Sequence, residues 1–124
     1  MRPTLNMKDM VRFYEVLLEA PKEKIHKQAF NIAYNNMSIL EIAKLVKKVL
    51  KDDSIEIETS KTDDLRSYHV NTSKIKKVLN FECKFGIDDG IKTIEEAFHK
   101  GLIKDGLNNP LYYNIKRMKE VQLK

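Results

Sequence analysis

Apolar positions along the chain recur mostly with a helical period and only twice with a strand period. Met10, Phe13, Tyr14, Leu17 and Leu18 fall on one stripe and Pro21 stands beyond the last turn, so residues 7–20 are expected to form an amphipathic helix. Lys22-Glu23-Lys24 reads as a polar loop. Ala29-Phe30-Asn31-Ile32-Ala33 reads as a short strand ending in the turn-like Asn35-Asn36. Ser38-Ile39-Leu40-Glu41 is a capping box, in which the serine oxygen accepts the N3 amide and the glutamate reaches back to the serine amide. Ile39, Ile42, Ala43, Val46, Val49 and Leu50 continue it as a helical stripe, closed by Asp52-Asp53. Ile55-Glu56-Ile57-Glu58-Thr59 alternates with period two and predicts a half-exposed strand. Asp63 to Val70 is an extended loop or strand. Thr72 to Leu79 is a short helix capped by Asn71 or Thr72. Ile87, Ile91, Ile94 and Phe98 define a last helix, stopped by Gly101 in the C′ role. Residues 102–124 are less regular, with a turn at Asn108-Asn109-Pro110 and a frayed helix from Ile115 to Leu123.

The expected fold is therefore a small, helix-rich α/β layer in which a few short strands pack with about four helices. Phe30, Ile32, Ile39, Ile42, Val46, Ile75, Leu79 and Phe81 read as its core. Two or three short strands make a poor sheet on their own, and several helix faces call for more apolar cover than the chain supplies. No repeat, linker or low-complexity tract appears. Residues 1–101 are expected to form the main lobe, with 102–124 a C-terminal extension of the same domain.

Composition narrows the class of protein. The chain has 124 residues, 42% apolar and 33% charged, which suits one soluble globular domain rather than a disordered chain. The net charge of +5 is mild and spread out, with Lys47-Lys48 and Lys76-Lys77 the nearest approach to clusters. Without a basic strand studded with aromatics, nucleic acid is not favoured as a partner. The single cysteine, Cys83, has no intramolecular disulfide partner and no metal-ligand neighbours in sequence. No apolar run approaches the ~18 residues of a membrane span. Arg2, Lys8, Asp9 and Arg12 interrupt any signal-peptide core, so a cytoplasmic location is expected.

Catalytic chemistry is missing. The glycines, at 86, 90, 101 and 106, form no phosphate loop, and no Ser or Cys nucleophile motif is present. His26, His69 and His99 lack metal-ligand spacing and read as surface or packing residues. The pairs Asp52-Asp53 and Asp63-Asp64 read as loop and cap residues. Arginine, however, is scarce: of 23 basic residues only Arg2, Arg12, Arg66 and Arg117 are Arg. In a chain that prefers lysine this strongly, an isolated arginine suggests forked recognition of a carboxylate or phosphate.

At Arg66 the sequence becomes more specific. Asp64-Leu65-Arg66-Ser67-Tyr68-His69-Val70, then Ser73-Lys74-Ile75, Leu79 and Phe81, resembles the C-terminal substrate-binding part of NAD-dependent nucleotide-sugar epimerases and dehydratases, which are extended short-chain dehydrogenases/reductases. Ile87-Asp88-Asp89-Gly90-Ile91 resembles the opening of that family's last amphipathic helix. Upstream and in the same order, Arg2-Pro3-Thr4-Leu5-Asn6-Met7-Lys8-Asp9-Met10 resembles its Arg-(Asp/Pro)-x-x-His-Val-x-Asp segment. Phe30-Asn31-Ile32-Ala33 resembles its Phe/Tyr-Asn-Ile-Gly strand, and Ser38-Ile39-Leu40-Glu41-Ile42-Ala43 the helix after it. Together these cover about residues 2–100. The chain departs from the family at Asn6 (usually His), Ala33-Tyr34-Asn35 (a glycine-containing turn), Asn80 (usually Gly) and Cys83 (usually Pro).

The resemblance implies a lobe that clamps the diphosphate of a nucleotide sugar. The Gly-rich NAD fingerprint and the Tyr-x-x-x-Lys pair belong to the family's Rossmann part and do not occur here. By position, Arg2 and Arg66 are the implied diphosphate ligands, with Asn36 a further candidate; Asp64 would orient Arg66, and Tyr68 would either meet the sugar or base or serve as a core or lobe-interface residue. Each charge-assisted bond in a partly desolvated cleft is worth ~1.5–3 kcal/mol. The alternative for Arg66 is an ion pair with Asp63 or Asp64 on the surface, worth ~0–1 kcal/mol. The chain itself is expected to bind no cofactor, with NAD belonging to the complete enzyme and a Rossmann lobe supplied in cis or in trans. A second reading is a non-catalytic binding or dimerisation module that retains the fold and uses the exposed face to bind a partner or a second copy.

Overall fold

The computed structural model describes residues 1–61 and 67–122. They contain six α-helices, one short 3-10 turn and two three-residue strands, so the chain is small and helix-rich with a minimal β component. The chain divides into two compact units, Met1–Lys92 and Thr93–Lys124. The boundary runs inside a helix, whereas the division expected at Gly101 marks that helix's end.

In the first unit, strand β1 (Arg2–Thr4) pairs antiparallel with β2 (Asn35–Met37), setting Arg2 opposite Met37, Pro3 opposite Asn36 and Thr4 opposite Asn35. Helix α1 (Met7–Glu19) begins where the Asn6 side chain accepts the Lys8 amide. A short helix α2 (Lys22–Ile25) follows where the sequence suggested a loop. Helix α3 (Ile39–Leu50) opens with the expected capping box: Ser38 Oγ accepts the Glu41 amide at 3.1 Å, and the Ser38 amide donates to Glu41 at 2.6 Å. Helix α4 (Ser73–Leu79) begins after Thr72, but the side-chain bond there comes from Asn71, whose oxygen accepts the Ser73 amide at 2.7 Å.

The strand expectations need correction. Residues 29–33 form no ladder: Phe30 and Ile32 pack on the core, Ala33 is buried, and the Lys74 ammonium donates to the Ala29 carbonyl at 2.8 Å. Alternating apolar residues there serve packing rather than sheet pairing. Ladder formation moves instead to Asn35–Met37, the expected turn, because Thr4 and Val70 give the two asparagines hydrogen-bond partners. Residues 55–59 form no strand either. The segment is held through Lys47, whose ammonium donates to the carbonyls of Asp53 and Ile55 at 3.0 and 2.9 Å from the last turn of α3.

The core is small. Phe13, Ile75 and Phe81 are its buried centre, surrounded by Val16, Leu17, Phe30, Ile32, Leu79 and Cys83. The Phe13 and Phe81 rings lie 5.5 Å apart in a tilted arrangement that suits their quadrupoles. Ile39, expected inside, points outward, while Ile42 and Val46 are half-buried. The largest surprise is Asp9, which is completely buried. Its carboxylate accepts amide hydrogens from Lys84 at 3.0 and 2.9 Å and from Phe85 at 2.9 Å, and it pairs with Arg12. The Arg12 guanidinium also lies over the Phe81 ring, 5.2 Å from its centroid. One acidic side chain thus fastens α1 to the loop after Phe81.

Helix α5 (Ile87–His99) crosses from the first unit into the second and ends at Gly101, whose φ of +66° is the left-handed stop expected of it. In the second unit, Asn109 caps a 3-10 turn (Pro110–Tyr112) by accepting the Leu111 amide at 3.0 Å, and α6 (Asn114–Glu120) follows. The Tyr113 hydroxyl secures the preceding loop by donating to the Leu107 carbonyl at 2.7 Å. Among the described residues no helix is long and apolar enough to cross a membrane.

Two stability tests follow from these contacts. Asp9→Ala strips the part-buried amides of Lys84 and Phe85, and Arg12, of their acceptor and should cost about 3–5 kcal/mol in urea unfolding. Arg12→Leu keeps the amide bonds but leaves the buried carboxylate without its counter-ion, and should also cost about 3–5 kcal/mol. Ser38→Ala should cost about 0.5–2 kcal/mol as a lost cap. Hydrogen bonding to the Ser38 amide and then to its hydroxyl holds the Glu41 carboxyl below its ordinary 4.5. The folded chain therefore binds fewer protons at Glu41 than the unfolded chain. The stabilisation is complete above the ordinary value and fades as pH drops through the lowered one. The gap between wild type and Ser38→Ala should accordingly narrow on acidification below that range.

Candidate functional site

Three of the residues expected at a diphosphate site, Arg2, Asn36 and Tyr68, lie around the β1–β2 ladder in the first unit. Arg2 sits on β1 with its guanidinium carbon 5.6 Å from the centroid of the Tyr68 ring, in cation–π range. Tyr68 is half exposed, and its amide donates to the Met1 carbonyl at 2.9 Å. Two residues on, Val70 is gripped by Asn36: its amide donates to the Asn36 side-chain oxygen at 2.9 Å, and the Asn36 side-chain nitrogen donates to its carbonyl at 3.1 Å. Asn36 thus acts as an extra rung beside its own strand, holding the segment that follows Arg66 in sequence against the ladder.

Arg2, Asn36 and Tyr68 are therefore brought together by β1, β2 and residues 67–70. Arg66 and Asp64, the other two expected members, lie outside the described residues, as does the pair Asp63-Asp64. Asn36 spends its oxygen and one amide hydrogen on Val70, an arrangement that positions backbone rather than presenting a free fork.

The remaining arginines resolve differently. Arg12 is a packing residue, joined to Asp9, lying over Phe81 and reaching the Glu82 carbonyl at 3.4 Å. Arg117 pairs with Glu120 at 3.1 Å on the exposed surface. Sequence reasoning treated Asp9 only as a motif position; the signal for more was an acid among apolar residues on the inward side of α1, one turn before Arg12. His26, His69 and His99 are all exposed. Asp52 takes the loop role expected of it, its carboxyl lowered from 3.8 by hydrogen bonds from the Ser54 hydroxyl and amide. No cluster of three or more His, Cys, Asp or Glu suited to a metal occurs among the described residues.

A cavity of about 120 Å³ lies nearby, lined in part by Ile32, Tyr34, Thr72, Lys76, Glu82 and Cys83. Lys76 and Glu82 meet at 2.5 Å on its exposed rim, a pairing of little energetic weight. Burial, and after it the Asp9 charge, pushes the Cys83 thiol from 9.0 up to about 11, with Arg12 opposing. This is the environment of a packing thiol, not of a nucleophile.

No family model, curated protein or solved structure matches the chain.

A thiol held near 11 instead of 9.0 carries ~100-fold less thiolate at pH 8. Because a higher-pKa thiolate is also the better nucleophile, iodoacetamide should alkylate Cys83 roughly tenfold more slowly in the native chain than in urea.

Proposed function

We propose that this chain is a nucleotide-diphosphate-sugar binding lobe of the NAD-dependent epimerase/dehydratase kind, without catalytic residues of its own. The observation that carries the reading is the Arg2–Tyr68 stack beside a segment held by Asn36. It joins the two ends of the proposed clamp, residues 2–4 and 67–70, which are remote in sequence. Stacking on Tyr68 limits the rotamer freedom of Arg2, so less entropy is lost when the guanidinium engages a phosphate oxygen.

Two further positions support the resemblance. Asn80 stands where the family has glycine, and its φ of +50° is the left-handed conformation that glycine and asparagine tolerate best. Asp9 stands at the acidic position of the N-terminal motif, and its buried contacts give that position a structural reason. In this reading Arg2 and Arg66 ligate the diphosphate, Asp64 orients Arg66, Asn36 positions the 67–70 segment, and Tyr68 backs Arg2 and borders the sugar or base. A Rossmann lobe, in cis or in trans, would supply NAD and the Tyr-x-x-x-Lys pair, so the chain alone should neither turn over substrate nor reduce NAD.

A second reading, a non-catalytic binding or dimerisation module, draws on a different observation: the apolar residues Met7, Val11, Tyr14 and Leu18 of α1 are left exposed.

Calorimetric titration with uridine and thymidine diphosphates separates the two. The clamp predicts measurable binding, weakened about ten- to a hundredfold by Arg66→Ala or Arg2→Ala, the loss of one charge-assisted contact. No binding by the wild type, or unchanged binding by Arg66→Ala, would remove the assigned site.

A further inference from the structure

Helix α1 has two apolar faces, and the core uses only one. Asp9, Phe13 and Val16 face inward with Leu17 beside them, whereas Met7, Val11, Tyr14 and Leu18 are 72, 54, 59 and 87% exposed. Those four are separated by steps of four, three and four residues. This is the a/d spacing of a two-helix seam, not the scatter expected of incidental surface apolar residues.

The flanks of the stripe indicate the occupant. On one side, at equivalent heptad positions, lie Lys8 and Glu15, directly after Met7 and Tyr14 of the stripe; on the other lie the half-buried apolar residues Met10 and Leu17. Suppose a second α1 is laid antiparallel across the first about a two-fold axis between Val11 and Tyr14. Met7 then faces Leu18 of the other copy, and Val11 faces Tyr14. The same operation brings Lys8 of each copy alongside Glu15 of the other, forming two opposite-charge pairs. A parallel arrangement would instead set e positions against g positions, placing Glu15 beside the apolar Met10 and leaving Lys8 without an acidic partner. Glu15 makes no ion pair among the described residues. The Lys8 ammonium rests 5.1 Å from the Phe85 ring centroid and keeps its three donors for a carboxylate.

We infer that α1 is a self-association surface, pairing antiparallel with α1 of a second copy of this chain through Met7, Val11, Tyr14 and Leu18, with Lys8 and Glu15 setting the orientation. The inference holds independently of the nucleotide-sugar reading. A thirteen-residue helix offers a contact of about 20 Å, so the dimer is weak and dissociates on dilution.

Sedimentation equilibrium from micromolar to millimolar chain, with circular dichroism as a check on folding, tests it. The wild type should show a reversible monomer–dimer equilibrium. Val11→Asp should abolish the dimer at the same concentrations without changing the helical signal. Glu15→Lys sets lysine against lysine twice and should weaken association about tenfold. The double variant Lys8→Glu/Glu15→Lys should restore it to near wild type. A wild type that stays monomeric throughout, a dimer indifferent to Val11→Asp, or a double variant as weak as Glu15→Lys alone would overturn the inference. Diphosphate titration of Val11→Asp keeps the two proposals separate, because nucleotide binding should survive loss of the dimer.

Discussion

The first unit depends on a buried carboxylate. Asp9 lies on the inward side of α1 and accepts the amides of Lys84 and Phe85, with Arg12 as its counter-ion. A core built around Phe13, Ile75 and Phe81 is too small to hold a loop by apolar burial alone. A charge with directed acceptors does what extra methyl groups would do in a larger domain, and it does so only if each acceptor site is filled. It also accounts for Arg12: lysine could supply the charge but not a planar group that also covers the Phe81 ring.

The three arginines among the described residues divide by task. Arg12 packs, Arg117 pairs on the surface, and Arg2 lies over Tyr68 beside the short ladder. Scarcity alone made all four look like recognition residues. Neighbours settle the tasks of Arg12 and Arg117, each of which meets a carboxylate of its own helix. The ladder is itself slight, three residues a side, and is reinforced by the Asn36 side chain, which substitutes for a missing backbone rung at Val70. A β component this short can position a few side chains without forming a sheet large enough to close a core.

The longer helices were legible in the sequence; the one-turn helix at Lys22–Ile25 and the strands were not. The stripes of α1, α3 and α5, the Ser38 capping box and the Gly101 stop each arise from contacts within a few residues, so local pattern suffices to reveal them. Residues 29–33 and 55–59 carry the right alternation, but a strand exists only when a partner presents its own backbone. Phe30 and Ile32 found side chains to pack on instead, and Ile55 found the Lys47 ammonium. Asn35 and Asn36 erred the other way: turn formers by propensity, they entered the ladder because Thr4 and Val70 offered partners far away in sequence.

Of the candidate site, the sequence could nominate Arg2, Asn36 and Tyr68 but could not say what each does. Juxtaposing Arg2 with Tyr68, diverting Asn36 to Val70 and burying Asp9 all join residues more than thirty positions apart. The same division holds for α1. Its periodicity determined that a helix would form, but it read Met10, Phe13, Tyr14, Leu17 and Leu18 as one stripe, which the fold divides between a buried Phe13 and an exposed Tyr14 and Leu18. Only the packing of Phe81 and the 84–85 loop decided which side turned inward, and so left Met7, Val11, Tyr14 and Leu18 exposed. Local hydrogen bonding and side-chain period are properties of adjacent residues and are written in the chain. The choice among faces, partners and burial sites belongs to contacts that exist only once distant segments meet.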